Sequence, residues 1–380
     1  MAGISDNHGK MCFSLALWNG VDPILKERMF GTTGHQGNHG EDVKEMYWYL
    51  DSTPTHSYMK MVYKYPQREY PYERLVRESS NRGRDVGEFE IMDTDAFDDD
   101  RYWDVFVEYA KDEDCPEGIS IRITAYNRGP EAADLHIIPQ LWFRNVWSWP
   151  KEKPQGKAMP NLQQIDDGVV QADEPHLGRY YFYANSSPAP VGPVTKHSTT
   201  DSDGACLVDD IVTPELMFTE NDTNFERLYG GKNEVPYVKD AFHDHIIPSH
   251  RPKPAAPQKG DGEAADAEAA DPQSEQDRHF VNPEKKGTKC GAHYVFANVP
   301  PNGGCAVVRV KLTTKTAEED EAAQDEEMFD CVVEERRMDS DEFYSRFNSG
   351  ALTDDLRNVM RQALSGMLWY VSFELRLTMY

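Results

Sequence analysis

The sequence predicts a mainly β protein: a large antiparallel β-sandwich followed by helices towards the carboxy terminus. Three observations carry that expectation. Apolar residues alternate with polar ones at a period of two in many short runs. Clusters of Gly, Pro and Asn separate those runs. After about Thr316 the apolar period lengthens to that of a helix.

The clearest strand is residues 119–126, where Ile119, Ile121, Ile123 and Ala125 alternate with Ser120, Arg122, Thr124 and Tyr126. Asn127-Arg128-Gly129-Pro130 supplies turn chemistry, and residues 135–143 return with the same period, so the two runs read as a hairpin. Residues 12–18, 104–110, 180–183, 293–297 and 307–313 are further strand-like runs. The last two flank the turn signal Pro301-Asn302-Gly303-Gly304. Many short strands of this kind favour an antiparallel sandwich.

Nearer the start, residues 45–50 suit an aromatic-rich strand. Thr53 reads as an N-cap with Pro54 at the first helical position. Tyr58, Met61, Val62 and Tyr65 follow at helical spacing until Pro66. A second short helix is expected to start at Pro71, both helices lying over one face or mouth of the sandwich. Residues 251–278 hold no large apolar side chain and cannot offset ordering entropy by burial. They read as a disordered insertion in a surface loop. Beyond Thr316, Met328, Cys331 and Val332, then Phe343 and Phe347, fit helices. Thr353 caps a final helix with Leu356, Val359, Met360, Ala363 and Met367 on one face. The expected organisation is a sandwich over 1–316, linker helices over 317–369 and a divergent tail over 370–380.

At 380 residues the chain is long enough for roughly two to three domains. A net charge of −26 repels nucleic-acid phosphates and anionic membranes but leaves a neutral ligand such as a sugar open. The six cysteines are scattered with no C-x-x-C pair, which suits free thiols in a reducing compartment. No basic and apolar leader opens the sequence, and no run of about 20 apolar residues occurs. A soluble protein located in the cytoplasm is the expectation.

Residues 37–66 carry Tyr47, Trp48, Tyr49, Tyr58, Tyr63 and Tyr65 among Glu, Asp, Lys and His. Rings with a flat apolar face and a polar edge suit a sugar-facing or domain-facing surface, and equally a core layer with a wet edge. In LWFRNVWSW (residues 141–149), Trp142 and Arg144 fall on one strand face with Trp147 and Trp149 just beyond. Such residues stack on sugar rings and bond hydroxyls, or lock a sandwich to a neighbouring domain. Glu41, Asp42 and Glu45 lie close in sequence, as do Asp93, Asp95, Asp98, Asp99, Asp100 and Asp104. In so acidic a chain neither group is informative, and the second lacks the glycine of a calcium loop. His243 and His245 would share a strand face, but no further ligand stands at metal spacing. No nucleophile elbow, phosphate-cradling loop, zinc signature or cofactor motif occurs.

The run GNHGEDVKEMYWYLDSTPTHSYMKMVYKYP (residues 37–66) resembles the amino-terminal part of bacterial and fungal glucosidase-like proteins of glycoside hydrolase family 63. AGISDNHGKMCFSLALWNGVDPILKERMFG (2–31), FDDDRYWDVFVEYAK (97–111) and LWFRNVWSW are similar to the same family. So are FTENDTNFERLYG (218–230), VNPEKKGTKCGAHY (281–294) and QALSGMLW (362–369), in an order kept across nearly the whole chain. The resemblance implies an amino-terminal β-sandwich joined by linker helices to a barrel of α-helical hairpins. The family hydrolyses α-glucosidic bonds with inversion, using two carboxyl groups of that barrel. This chain stops where the barrel would begin, and no position matches either catalytic motif, so no catalytic residue is carried over. The implied partners are the α/α barrel and an oligosaccharide or glucoside. Candidates for a substrate-facing or interdomain surface are His39, Glu41, Asp42, Tyr47, Tyr58, Trp142, Arg144, Trp147 and Trp149. The last residues, YVSFELRLTMY, depart from the family pattern.

Overall fold

Two antiparallel sheets stack face to face in the computed structural model. It describes residues 1–34, 42–83, 85–149, 158–193, 211–250, 279–347 and 352–377, with the backbone alone at His250 and 370–377. The expected insertion at 251–278 lies outside the described residues, as do His39 and Glu41. The strands in chain order are β1 Ile4–Ser5, β2 Met11–Trp18, β3 Gly31–Thr32, β4 Asp42–Val43, β5 Met46–Ser52 and β6 Tyr58–Pro66. Then come β7 Tyr102–Lys111, β8 Ile119–Asn127, β9 Ala133–Phe143, β10 Asn161–Asp166, β11 Val169–Glu174 and β12 Gly178–Ala184. The last are β13 Ser187–Pro188, β14 Ile211–Val212, β15 Glu215–Thr219, β16 Lys286–Gly287, β17 Lys289–Val299 and β18 Cys305–Thr313. One sheet has five strands in the order β1-β2-β9-β17-β15, the other nine in the order β16-β10-β11-β12-β18-β8-β7-β6-β5. The expected β-sandwich is therefore the fold.

The core lies between the sheets. Phe13, Leu15 and Leu17 of β2, with Leu135, Ile137 and Leu141 of β9, meet Trp103, Val105 and Val107 of β7 and Ile121 and Ile123 of β8. Each such side chain, fully buried, contributes about 1.5–3 kcal/mol. The alternate residues Ala16, Trp18 and Ile138 face outwards, yet they too are covered. Phe242 and Ile246 of α3 (Ala241–Ile246) close over them. β2 is thus buried on both faces, with Ser14 the one polar residue of its outward side.

Two local expectations are corrected. The runs at 119–126 and 135–143 do not form a hairpin. β8 pairs with β7 and β18, whereas β9 pairs with β2 and β17 of the other sheet. The turn between them carries the chain across the sandwich. It is held by Asn127, whose buried side chain donates to the carbonyls of Glu131 (2.8 Å) and Val299 (2.9 Å) and accepts from Gly129 N–H (2.9 Å). The turn at 301–304 crosses back beside it, with Gly303 N–H donating to Asn127 O at 2.7 Å. The second correction concerns residues 54–66. No helix forms there; residues 58–66 are β6, a central strand paired with β5 on one side and β7 on the other. Thr53 caps a hairpin turn instead, its Oγ1 accepting from Ser57 N–H at 3.0 Å. Two full ladders outweigh one isolated turn of helix, and Met61, Tyr63 and Tyr65 reach the core at period two.

Three further helices form where expected. α1 (Tyr72–Asn81) follows Pro71. Asp325 caps α4 (Glu326–Ser345) by accepting from Met328 N–H at 2.8 Å. Thr353 caps α5 (Asp354–Leu377) by accepting from Leu356 N–H at 3.3 Å. The backbone is helical across residues 370–377.

Candidate functional site

α5 covers β5, the exposed edge of the nine-stranded sheet, where a bare row of backbone groups would invite pairing with another chain. A bulge between Tyr49 and Asp51 turns the buried Asp51 carboxylate towards the helices. Its Oδ1 accepts from Ser340 Oγ at 2.9 Å and its Oδ2 from Arg361, while its backbone carbonyl accepts from Trp369 Nε1 at 3.3 Å. Arg361 also donates to Asp341 at 2.6 Å and to Ser340 Oγ at 3.0 Å, with its guanidinium 4.8 Å above the Tyr344 ring. Tyr344 donates to Ser52 O at 2.7 Å, and Tyr49 stacks on Trp369 at 4.7 Å.

Arg361, Ser365 and Trp369, the residues that hold α5 down, recur every fourth position and so form one stripe. The opposite stripe is apolar and faces solvent. Leu356 is 49% exposed, Val359 58% and Met367 63%, with exposed Ala363 between them. α5 is thus turned inside out relative to an ordinary surface helix, which buries its apolar stripe. An arrangement of this kind suits a helix made to be covered on its far side.

The other candidates fall into separate places. Tyr47 is half-buried on β5, its ring edge-on to Tyr49 at 5.8 Å. Tyr58 is fully buried beneath Phe329 and Val333 of α4 and donates to Glu108 at 2.6 Å, so no ligand reaches it. Asp42 joins Glu88 and Glu90 in a carboxylate trio of metal-ligand spacing, but Lys44 Nζ stands among them, 2.9 Å from Glu90 and 3.5 Å from Glu88. Burial disfavours that ammonium, yet Asp42 and Glu90 outweigh burial and hold its pKa above the usual lysine range. Trp142 is half-buried on β9 of the five-stranded sheet. Trp147 packs on the main core, while Trp149 is exposed with the Arg144 guanidinium 5.9 Å over its ring. Tyr47 and Tyr58 belong to one sheet and Trp142 to the other.

His243 and His245 lie on α3, not on a strand, and residues two apart on a helix point apart. His243 Nδ1 accepts from Leu25 N–H at 3.1 Å, and His245 Nε2 lies 3.0 Å from Glu215. Within the acidic turn, Asp95 pairs with Arg74 and Asp99 with Arg68, each at 3.0 Å. The sequence reading missed Asp51, Ser340 and Arg361. Their convergence joins positions about 290 and 310 residues apart in the chain, and no local pattern marks it.

Among curated proteins, the chain is similar to one of Saccharomyces cerevisiae (strain ATCC 204508 / S288c) that bears the name "Uncharacterized protein YMR196W". The two are 38% identical over 385 residues, which take in 98% of this chain and 32% of the relative. The chain therefore spans about a third of the length of the curated relative it matches. No protein-family model matches it.

Proposed function

We propose that this chain is the non-catalytic β-sandwich portion of a glucosidase-like hydrolase related to glycoside hydrolase family 63, and that it supports a helical catalytic barrel through α5. The observation that carries the proposal is the outward apolar stripe of α5, fixed to the sandwich by the Asp51–Arg361 ion pair. The ordered run of family-like segments and the greater length of the yeast relative support it. Inverting hydrolysis needs a carboxylic acid and a carboxylate roughly 6.5–9.5 Å apart with water between them. On this reading both belong to the barrel, and the sandwich supplies rigidity and shape at its mouth. A cytoplasmic location fits the free thiols of Cys115, Cys290, Cys305 and Cys331. The expected outcome is that the purified chain releases no glucose from α-glucosides. Turnover that disappears in Asp42→Asn or Glu41→Gln would overturn the proposal.

A second reading, a stand-alone carbohydrate-binding module, rests on the exposed Trp149 ring with Arg144 beside it. It requires saturable binding of gluco-oligosaccharides that weakens in Trp149→Ala. Calorimetry at millimolar sugar with no heat of binding would remove it.

A further inference from the structure

We infer that a sodium or potassium ion binds between the nine-stranded sheet and the chain leading into α4, held by Asp112, Ser120 and Asp320. The site is built on one row of that sheet. Ala110 of β7 pairs with Ser120 of β8, and Ser120 with Lys311 of β18, so the three side chains lie side by side on one face. Phe329 and Val333 of α4 cover that face at Ala110. Lys311, with its side chain 2% exposed, donates to Asp320 Oδ1 at 2.7 Å and stands 3.0 Å from Asp112 Oδ2. Asp112 reaches the row from the β7–β8 turn, where a Cβ added at Gly118 would collide with its Oδ2. That turn is thus shaped to admit the carboxylate.

Three oxygens there are left over. Asp112 Oδ1, Asp320 Oδ2 and Ser120 Oγ are buried with no hydrogen-bond partner among the described residues. Ser120 is fully buried and Asp320 is 5% exposed. Charge decides what fills such a place. Two carboxylates share one ammonium, and a buried charge without a counter-charge is strongly disfavoured. Water satisfies the oxygens but leaves the imbalance. A divalent ion overshoots it, whereas one monovalent cation brings Asp112, Asp320 and Lys311 to neutrality. The other charges of this face are paired, Glu108 with Lys60 and Arg122, and Arg309 with Glu326 and Asp330. Burial raises the pKa of Asp112 and Lys311 draws it back, while the smaller effects of Asp320 and Lys315 oppose each other. The run after β18 that carries Asp320 also lines an open recess of about 700 Å³ with Glu318, Glu319, Glu321 and Asp325, whose carboxylates draw cations towards it. Bound there, the ion ties β7 and β8 to the connection that leads into α4.

The test is the urea midpoint of this chain at pH 7 in about 0.1 M sodium, potassium or tetramethylammonium chloride. Tetramethylammonium matches the ionic strength and is too large for a closed site. With a Kd of about 10 mM, sodium or potassium should favour folding about tenfold over tetramethylammonium. Asp320→Asn leaves Lys311 paired with Asp112 and should abolish that difference. Ser120→Ala keeps every charge and should reduce it. Equal midpoints of the parent in all three salts would overturn the inference and assign the missing charge to a proton or to none. So would a difference retained in full in Asp320→Asn, or in Ser120→Ala should the first variant fail to fold, since the cation would then act elsewhere.

Discussion

Three buried tyrosines of residues 37–66 are satisfied by buried carboxylates, one ring to one acid. Tyr58 donates to Glu108 at 2.6 Å, Tyr63 to Glu45 at 2.8 Å and Tyr65 to Asp22 at 2.6 Å. Lys26 neutralises Glu45 at 2.7 Å, its ammonium 3.5 Å above the Tyr70 ring. The aromatic, polar composition of residues 37–66 thus splits between its two readings. Its second half supplies buried rings with satisfied hydroxyls, and only Tyr47, Trp48 and Tyr49 of the six lie towards the surface. Burial raises the pKa of Asp22, and the donors Tyr65 and Tyr70 hold it back. Tyr65→Phe removes one donor and leaves a buried acceptor without it, at a cost of about 1–3 kcal/mol. Urea unfolding at pH 7 should show that loss as a lower midpoint with an unchanged slope. A midpoint equal to the parent's would mean that the hydroxyl contributes nothing to stability.

A relay of side chains links the outer face of the five-stranded sheet to α3. His136 of β9 and His293 of β17 lie 2.7 Å apart through Nδ1 and Nε2, with their rings stacked at 5.0 Å. His293 Nδ1 stands 4.0 Å from Glu215 of β15, which also contacts His245 of α3 at 3.0 Å. Burial lowers the pKa of His136 to about 4 and that of His293 to about 3. Asp134 opposes the shift of His136 and Glu215 that of His293, which the charges of His136 and His245 push further down. In the unfolded chain a histidine titrates near 6.5. Below that pH the unfolded state binds more protons than the folded one, so stability falls as pH drops through 6.5 and levels out below about 3. The slope is about 1.4 kcal/mol per pH unit for each histidine. Unfolding midpoints should therefore fall between pH 7 and pH 5, above the range in which most carboxylates titrate. His136→Asn with His293→Gln should flatten that dependence; a dependence as steep as the parent's would place its origin elsewhere.

Over the whole molecule the acidic charge and the apolar stripe of α5 act against each other. At −26 charges, copies of the chain repel one another across a Debye length of about 30 Å in 0.01 M salt, shrinking to about 3 Å in 1 M salt. Raising salt should let the uncovered stripe associate, so sedimentation should show monomer at low salt and larger species at high salt. Met367→Lys, at a position 63% exposed, should keep the chain monomeric without loss of stability. Association that persists unchanged in that variant would trace it to another surface, such as the one built by Phe225, Leu228 and Tyr229 on α2 (Phe225–Tyr229).

The sequence by itself determined which segments extend and which coil wherever the pattern was long and the punctuation clear: β2, β7, β8, β9, β18, α4 and α5, including the apolar stripe of the last. Those properties follow from the period of side chains along a single element, which neighbouring residues carry. Tertiary structure alone decided that β8 and β9 part into different sheets, that residues 58–66 extend, and that Tyr58 and Trp147 turn inwards. The run 58–66 carries apolar residues at both helical and strand spacing, and only the partners on each side choose between them. Pairing, burial and the meeting of Asp51 with Arg361 depend on residues distant in the chain, and no local period encodes them.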